Sequence, residues 1–129
     1  MNKLPAAVVL FAHGSRDPQW RAPIDAVADE ILRQSPQSTV RCAFLELMTP
    51  SLHDAVQALV QQGHNAIRVV PMFLGIGRHA REDLPALIGE LRERHPGLHL
   101  ALEPAIGEQP EMTRCMARIA LGQTTSDKT

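Results

Sequence analysis

The chain has 129 residues, the size of one ordinary domain, so a single core is expected. It is 44% hydrophobic and 21% charged, with 8 Gly and 10 Pro, which sets it apart from disordered and fibrous chains. A formal net charge of -1, 13 scattered basic residues, 3 Phe, 1 Trp and no Tyr argue against nucleic acid as a partner, since neither phosphates nor unstacked bases would find a surface.

No apolar run approaches the roughly 20 residues that span a bilayer. The run from Ala6 to Ala12 is too short and wrongly flanked for a signal peptide, so a cytoplasmic protein without a membrane partner is expected. Cys42 and Cys115 stand far apart and outside any paired spacing, which predicts plain thiols rather than a disulfide or a structural zinc site.

Ala6 to Ala12 is apolar without interruption and ends in His13-Gly14, the pattern of a strand covered on both faces. Asp17 and Pro18 then suit a helix start, followed by a stripe of Ile24, Val27, Ala28, Ile31 and Leu32. The unit repeats: a strand over Thr39 to Leu45, a cap and first position at Thr49-Pro50, and a helix through Leu52, Ala55, Val56, Leu59 and Val60 to Gly63. A third strand spans Ala66 to Leu74, a loop Gly75-Ile76-Gly77-Arg78 follows, and Leu84, Leu87, Ile88 and Leu91 mark a third helix ending near Pro96-Gly97. A weaker fourth pair has its strand at Leu98 to Leu102 and its helix on Met112, Cys115, Met116, Ile119 and Ala120. One domain over 1–121 is expected, with a polar tail, 122–129, that has nothing to bury and is predicted to be disordered.

Four alternating strand-helix units predict an α/β fold, a three-layer sandwich around a four-stranded, mostly parallel sheet. Ligands of such sheets bind beyond the carboxyl ends of the strands. That rule singles out His13 after the first strand, Glu46 after the second and His79 in the loop after the third. Two imidazoles and a carboxylate from three strand ends can work as proton acceptors or as metal ligands. A carboxylate between Leu45 and Leu47 needs a partner if it is buried. His53 and His64, on the exposed side or just past the end of the second helix, and His95 and His99, around the Pro96-Gly97 turn on the opposite edge, are expected to have no role in a site. No phosphate-binding GxxxxGK[ST] or GxGxxG loop is present, and Ser15 lacks a nucleophile elbow and is expected to help position the following helix.

The stretch Leu10-Phe11-Ala12-His13-Gly14-Ser15-Arg16-Asp17 resembles a known family when read together with two others. These are Ala43-Phe44-Leu45-Glu46 with Pro50-Ser51-Leu52, and Val70-Pro71-Met72-Phe73-Leu74 with Gly77-Arg78-His79-Ala80-Arg81-Glu82-Asp83-Leu84-Pro85. Their order over about residues 6 to 111 is similar to that of the CbiX-type sirohydrochlorin chelatases. The resemblance implies a flavodoxin-like chelatase fold and insertion of a divalent metal, cobalt or iron, into sirohydrochlorin, on the way to cobalamin or siroheme. It also implies that His13 and His79 are metal-binding and catalytic, with Glu46 as the acidic site residue. Many relatives carry two such domains with the site between them. This chain resembles the short single-domain form, which implies a homodimer, and Arg78 stands where the family often has a second glycine.

Metal insertion asks for an open mixed N/O site that binds the ion and releases it. The metal, Co²⁺ or Fe²⁺ or else Ni²⁺, is then substrate, and no tightly bound cofactor is expected. For the macrocycle, Met48, Met72, Phe73, Leu74 and Ile76 offer an apolar wall, and Arg16, Arg78 and Arg81 offer cations for its carboxylates. Two other readings of the same residues remain: a non-catalytic tetrapyrrole or metal carrier, and a phosphoryl-transfer enzyme using His13.

Overall fold

The computed structural model describes residues 6–123, without the side chain of His79. Four strands, β1 (Ala7–Ala12), β2 (Val40–Phe44), β3 (Ala66–Pro71) and β4 (His99–Leu102), alternate with four helices, α1 (Ala22–Gln34), α2 (Leu52–Gln61), α3 (Arg78–Arg94) and α4 (Pro110–Ala120). The sheet has the order β2-β1-β3-β4 and every pairing is parallel, with Leu10 of β1 between Cys42 of β2 and Val70 of β3. Most of the tail expected to be disordered, residues 124–129, lies outside the described residues. Among those described, no helix is long and apolar enough to cross a membrane.

Alternation along β1 sends its side chains to two different layers. Val9 and Phe11 join Val69, Val56, Leu59 and Ile88 in the core under α2 and α3. Val8 and Leu10 point to the other face, toward α1 and α4. Right-handed crossovers demand this division of helices once β2 and β3 flank β1 on opposite sides. Phe11, Leu59 and Ile88 are 1%, 0% and 1% exposed, and burial of each such side chain stabilises by roughly 1.5–3 kcal/mol. The stripe on α1 is present but only partly covered, with Val27 37% and Leu32 41% exposed.

Several boundaries differ from expectation, each for a local reason. Asp17 does cap, its carboxylate accepting from the Gln19 N–H at 3.0 Å, but it caps a 3-10 turn over Pro18–Arg21 that leads into α1. Ser51, rather than Thr49, caps α2, its Oγ accepting from the Asp54 N–H at 3.1 Å. Thr49 and Pro50 stay in the preceding turn because the Pro50 carbonyl accepts from the Phe44 N–H at 2.9 Å. The third strand stops at Pro71, where the partner strand β4 has diverged, and α3 begins at Arg78 behind Gly77. Arg78 and His79, expected in a loop, therefore occupy the first turn of that helix.

Two histidines set aside in the sequence are also less exposed than expected. His53 is partly covered and faces Glu90 at 3.3 Å. His64 is buried at 9% exposure, and its Nδ1 has no hydrogen-bond partner.

Candidate active site

Hydrogen bonds of the β1–β2 ladder continue past the strand ends and tie two site loops together. The Leu45 N–H donates to the Ala12 carbonyl at 2.9 Å, and the Glu46 N–H donates to the His13 carbonyl at 3.0 Å. Gly14 makes this approach possible. Its φ is +100°, and a Cβ there would lie 1.8 Å from the Glu46 carbonyl oxygen, inside any permissible contact. The chain then turns back through Leu47, whose φ of 68° is left-handed, with the Met48 N–H bonded to the Glu46 carbonyl at 2.8 Å. A leucine in that conformation stores about 1–3 kcal/mol, and such strain gathers at functional sites.

The β3–α3 loop supports His13 from below. Its ring stacks on Phe73, with centroids 4.3 Å apart and 29° between planes, and Phe73 rests in turn against Phe11. The Met72 N–H donates to the Phe11 carbonyl at 2.7 Å, and the Gly107 N–H to the Phe73 carbonyl at 2.9 Å. Gly107 is a second enforced small residue, since a Cβ would come within 1.9 Å of the Leu74 carbonyl oxygen. His13 and Phe73 thus straddle the boundary between β1 and β3, where successive crossovers part to opposite sides of β1.

The sequence-predicted residues fall into three groups. His13 and Glu46 are adjacent and both exposed, and the backbone of His79 places it at the second position of α3 on the same edge. Arg16, Arg78 and Arg81 are exposed, with Arg78 facing Glu82 at 3.7 Å in an open ion pair; pairs of this kind hold a side chain only weakly. Of the expected macrocycle wall, Leu74 is 74% exposed, while Met48, Met72 and Ile76 are half-buried. Met72 opens instead toward α1 and α4. Phe73 departs furthest from expectation. It is 4% exposed and lies under the His13 ring, so it is the floor on which the imidazole sits.

Leu45 and Leu47, 47% and 55% exposed, were not singled out by the sequence, yet they stand beside Glu46 and extend the apolar rim. No spacing rule could have found them, because a left-handed leucine carries no signature of its own. Ser15 acts locally, its Oγ accepting from the Asp17 N–H at 3.0 Å. Among the described residues no three His, Cys, Asp or Glu side chains close into a metal cage. Cys42 sits 3.8 Å from Asp25, which also pairs with Arg21 at 3.0 Å. Burial, helped by the Asp25 charge, pushes the Cys42 thiol up from its ordinary range, which makes it a poor nucleophile.

A parallel α/β domain with a histidine, a carboxylate and an exposed apolar rim at the diverging strand ends belongs to the class that binds ligands at that edge. Residues 7–120 match the family model described as CbiX, and the chain belongs to the CbiX family. It is 37% identical over 83 residues to the sirohydrochlorin cobaltochelatase of Methanopyrus kandleri, covering 64% of this chain and 58% of that one. To the enzyme of the same name from Methanocaldococcus jannaschii it is 33% identical over 89 residues, covering 69% and 62%. The matched stretch therefore spans about three fifths of the length of these curated relatives. Among solved structures, a putative cobalamin biosynthesis CbiX protein from Marinobacter aquaeolei superposes with a TM-score of 0.79 at 32% identity, covering 92% of this chain and 97% of that one. SirB from Bacillus subtilis with Fe³⁺ gives 0.73 at 25% identity, covering 96% of this chain but 50% of that one.

Proposed function

We propose that this chain is a chelatase that inserts a divalent metal, cobalt or iron, into sirohydrochlorin, serving cobalamin or siroheme biosynthesis in the cytoplasm. The observation that carries this reading is His13, exposed at the strand end, stacked on Phe73 and backbone-bonded to Glu46. Relatives named sirohydrochlorin cobaltochelatase support the substrate, and SirB structures with Fe³⁺ and with cobalt support the metal.

Insertion exchanges one M²⁺ for two pyrrole protons, so the site must hold a cation and accept protons in turn. Neutral imidazoles of His13 and His79 do both through a ring nitrogen lone pair. Glu46 supplies negative charge beside His13, favouring the incoming ion and the proton leaving the macrocycle. The positive end of α3, with Arg78 and Arg81, and Arg16 on the neighbouring loop, receive the carboxylates of the macrocycle rim. Met48, Leu74 and Ile76 give an apolar contact for its face. The metal enters as substrate and leaves in the product, so no resident cofactor is needed.

One open edge offers one wall to a flat ligand, and a second copy of the chain supplies the other in a homodimer. Mixing the protein with sirohydrochlorin and Co²⁺ or Fe²⁺ without air tests the proposal. We expect the macrocycle spectrum to change faster than in the protein-free mixture, with many turnovers per chain. Stoichiometric uptake with no rate advantage would identify a carrier instead.

A further inference from the structure

The proposed site draws His13, Glu46 and His79 from the ends of β1, β2 and β3, and the connection after β4 contributes no side chain to it. That connection is nonetheless anchored at each step. The Glu103 N–H donates to the Val69 carbonyl at 2.9 Å, one residue past the end of β4, and Ala105 is fully buried in the core. A 3-10 turn over Ile106–Glu108 follows, closed by the Glu108 N–H on the Ala105 carbonyl at 2.9 Å. Pro104 and Pro110 stand on either side and fix the backbone φ there.

The β3–α3 loop has little else to hold it. Among the described residues, the backbone of 73–76 makes one hydrogen bond, the Phe73 carbonyl accepting from the Gly107 N–H at 2.9 Å. On the next residue the contact is steric. A Cβ on Gly107 would lie 1.9 Å from the Leu74 carbonyl oxygen, 2.4 Å from its carbon and 2.5 Å from its Cα. All three are backbone atoms, so no rotamer change relieves the clash. The φ of Gly107 lies outside the left-handed region, and space alone therefore excludes a side chain. Gly107 meets the loop where it passes from the buried Phe73 to the exposed Leu74.

We propose that Gly107 is a positioning residue for metal insertion, holding the β3–α3 loop at the height at which Phe73 carries the His13 ring. The inference rests on the chelatase reading above and adds a residue from the one strand end that has no group at the site. His13 stacks on Phe73 across 4.3 Å, so a shift of that loop changes the platform without touching the imidazole itself. Bringing a methyl on Gly107 to a permissible contact requires more than about an ångström of movement, and a displacement of that size costs a positioned group much of its advantage.

G107A, with G97A as its control, tests this by NMR and by turnover. A Cβ on Gly97, at the opposite edge, meets nothing within 4 Å. His13 lies over the face of the Phe73 ring, whose ring current shields it, so in the metal-free wild type its ring-proton resonances should stand upfield of those of the exposed His99. We expect G107A to move them downfield and to lower kcat by about tenfold, and G97A to change neither. In the F73L background the same substitution should cost less than about twofold, because the platform it acts through is already gone. A folded G107A with His13 resonances at their wild-type positions, or a loss of full size in the F73L background, would overturn the inference and leave the chelatase reading standing. A wild type that inserts no metal would overturn that reading and the role in insertion with it, while the resonances still report whether Gly107 sets the ring. Should G107A not fold, hydrogen exchange of the wild type decides: the Gly107 amide should be protected, and exchange at the rate of an unstructured peptide would overturn the contact.

Discussion

Both edges of the sheet carry histidines, and the two edges are built in opposite ways. At the amino edge His64 is buried with an unpartnered Nδ1, and it lines a hollow of about 440 Å³ with His95. His99 lines another of about 530 Å³ with Arg68 and Arg92. At the carboxyl edge His13 is exposed, yet its surroundings are tightly constrained: Gly14 against Glu46, Gly107 against Leu74, and a left-handed Leu47. A hollow is a by-product of where loops diverge, whereas enforced close approach and strain persist only where the rest of the fold holds them. In the function we propose, the histidine with a fixed platform is the one that handles metal and protons.

The sharpest way to break this contrast is His13→Ala. Metal insertion should fall by roughly 10²–10⁴-fold, the usual worth of a positioned acid or base, while the circular dichroism spectrum stays that of wild type. An unchanged initial rate would dissolve the distinction between the edges. Next comes Gly14→Ala, which removes no site side chain but drives a methyl into the Glu46 carbonyl. Displacing these loops by about an ångström should cost on the order of 10²-fold in rate and lower the melting temperature. A variant with normal stability and activity would show that the loops need not meet.

Glu46→Gln keeps the backbone bond to His13 and removes only the charge. A loss of about tenfold in turnover is expected if the carboxylate assists proton removal or metal delivery, and full activity would make it a surface acid. Phe73→Leu sharpens the contrast further, since it keeps an apolar floor but removes the stacked ring. We expect a fall of several-fold in kcat with little change in KM for sirohydrochlorin, and a stability cost of about 1 kcal/mol. A change confined to KM would place Phe73 in contact with substrate instead. At the small end, His95→Ala on the amino edge should leave turnover at the wild-type value.

The sheet was legible because short continuous apolar runs such as Val8-Val9-Leu10-Phe11, bounded by turn signals like His13-Gly14, fit the strands of a parallel sheet. The position of His13 at a strand end followed from the same run. The platform beneath it did not, because Phe73 reads alike in a periodic pattern whether it lines a pocket or fills a core. The start of α3 was hidden for another reason: its cap is Gly77, which offers no side-chain oxygen to announce a helix. The sequence reading put the cap at Thr49 with Pro50 as the first helical position. A backbone hydrogen bond from Phe44, which no local rule registers, holds Pro50 in the preceding turn.

The most direct measurement follows the ring resonances of the six histidines by NMR while Co²⁺ is added to the protein. The paramagnetic ion broadens and shifts only nearby nuclei. We expect His13 and His79 to respond first and together, with His64, His95 and His99 unchanged until the metal is in large excess. Response at the amino-edge histidines before His13 would contradict the assignment of the metal-handling site to the carboxyl edge of the sheet.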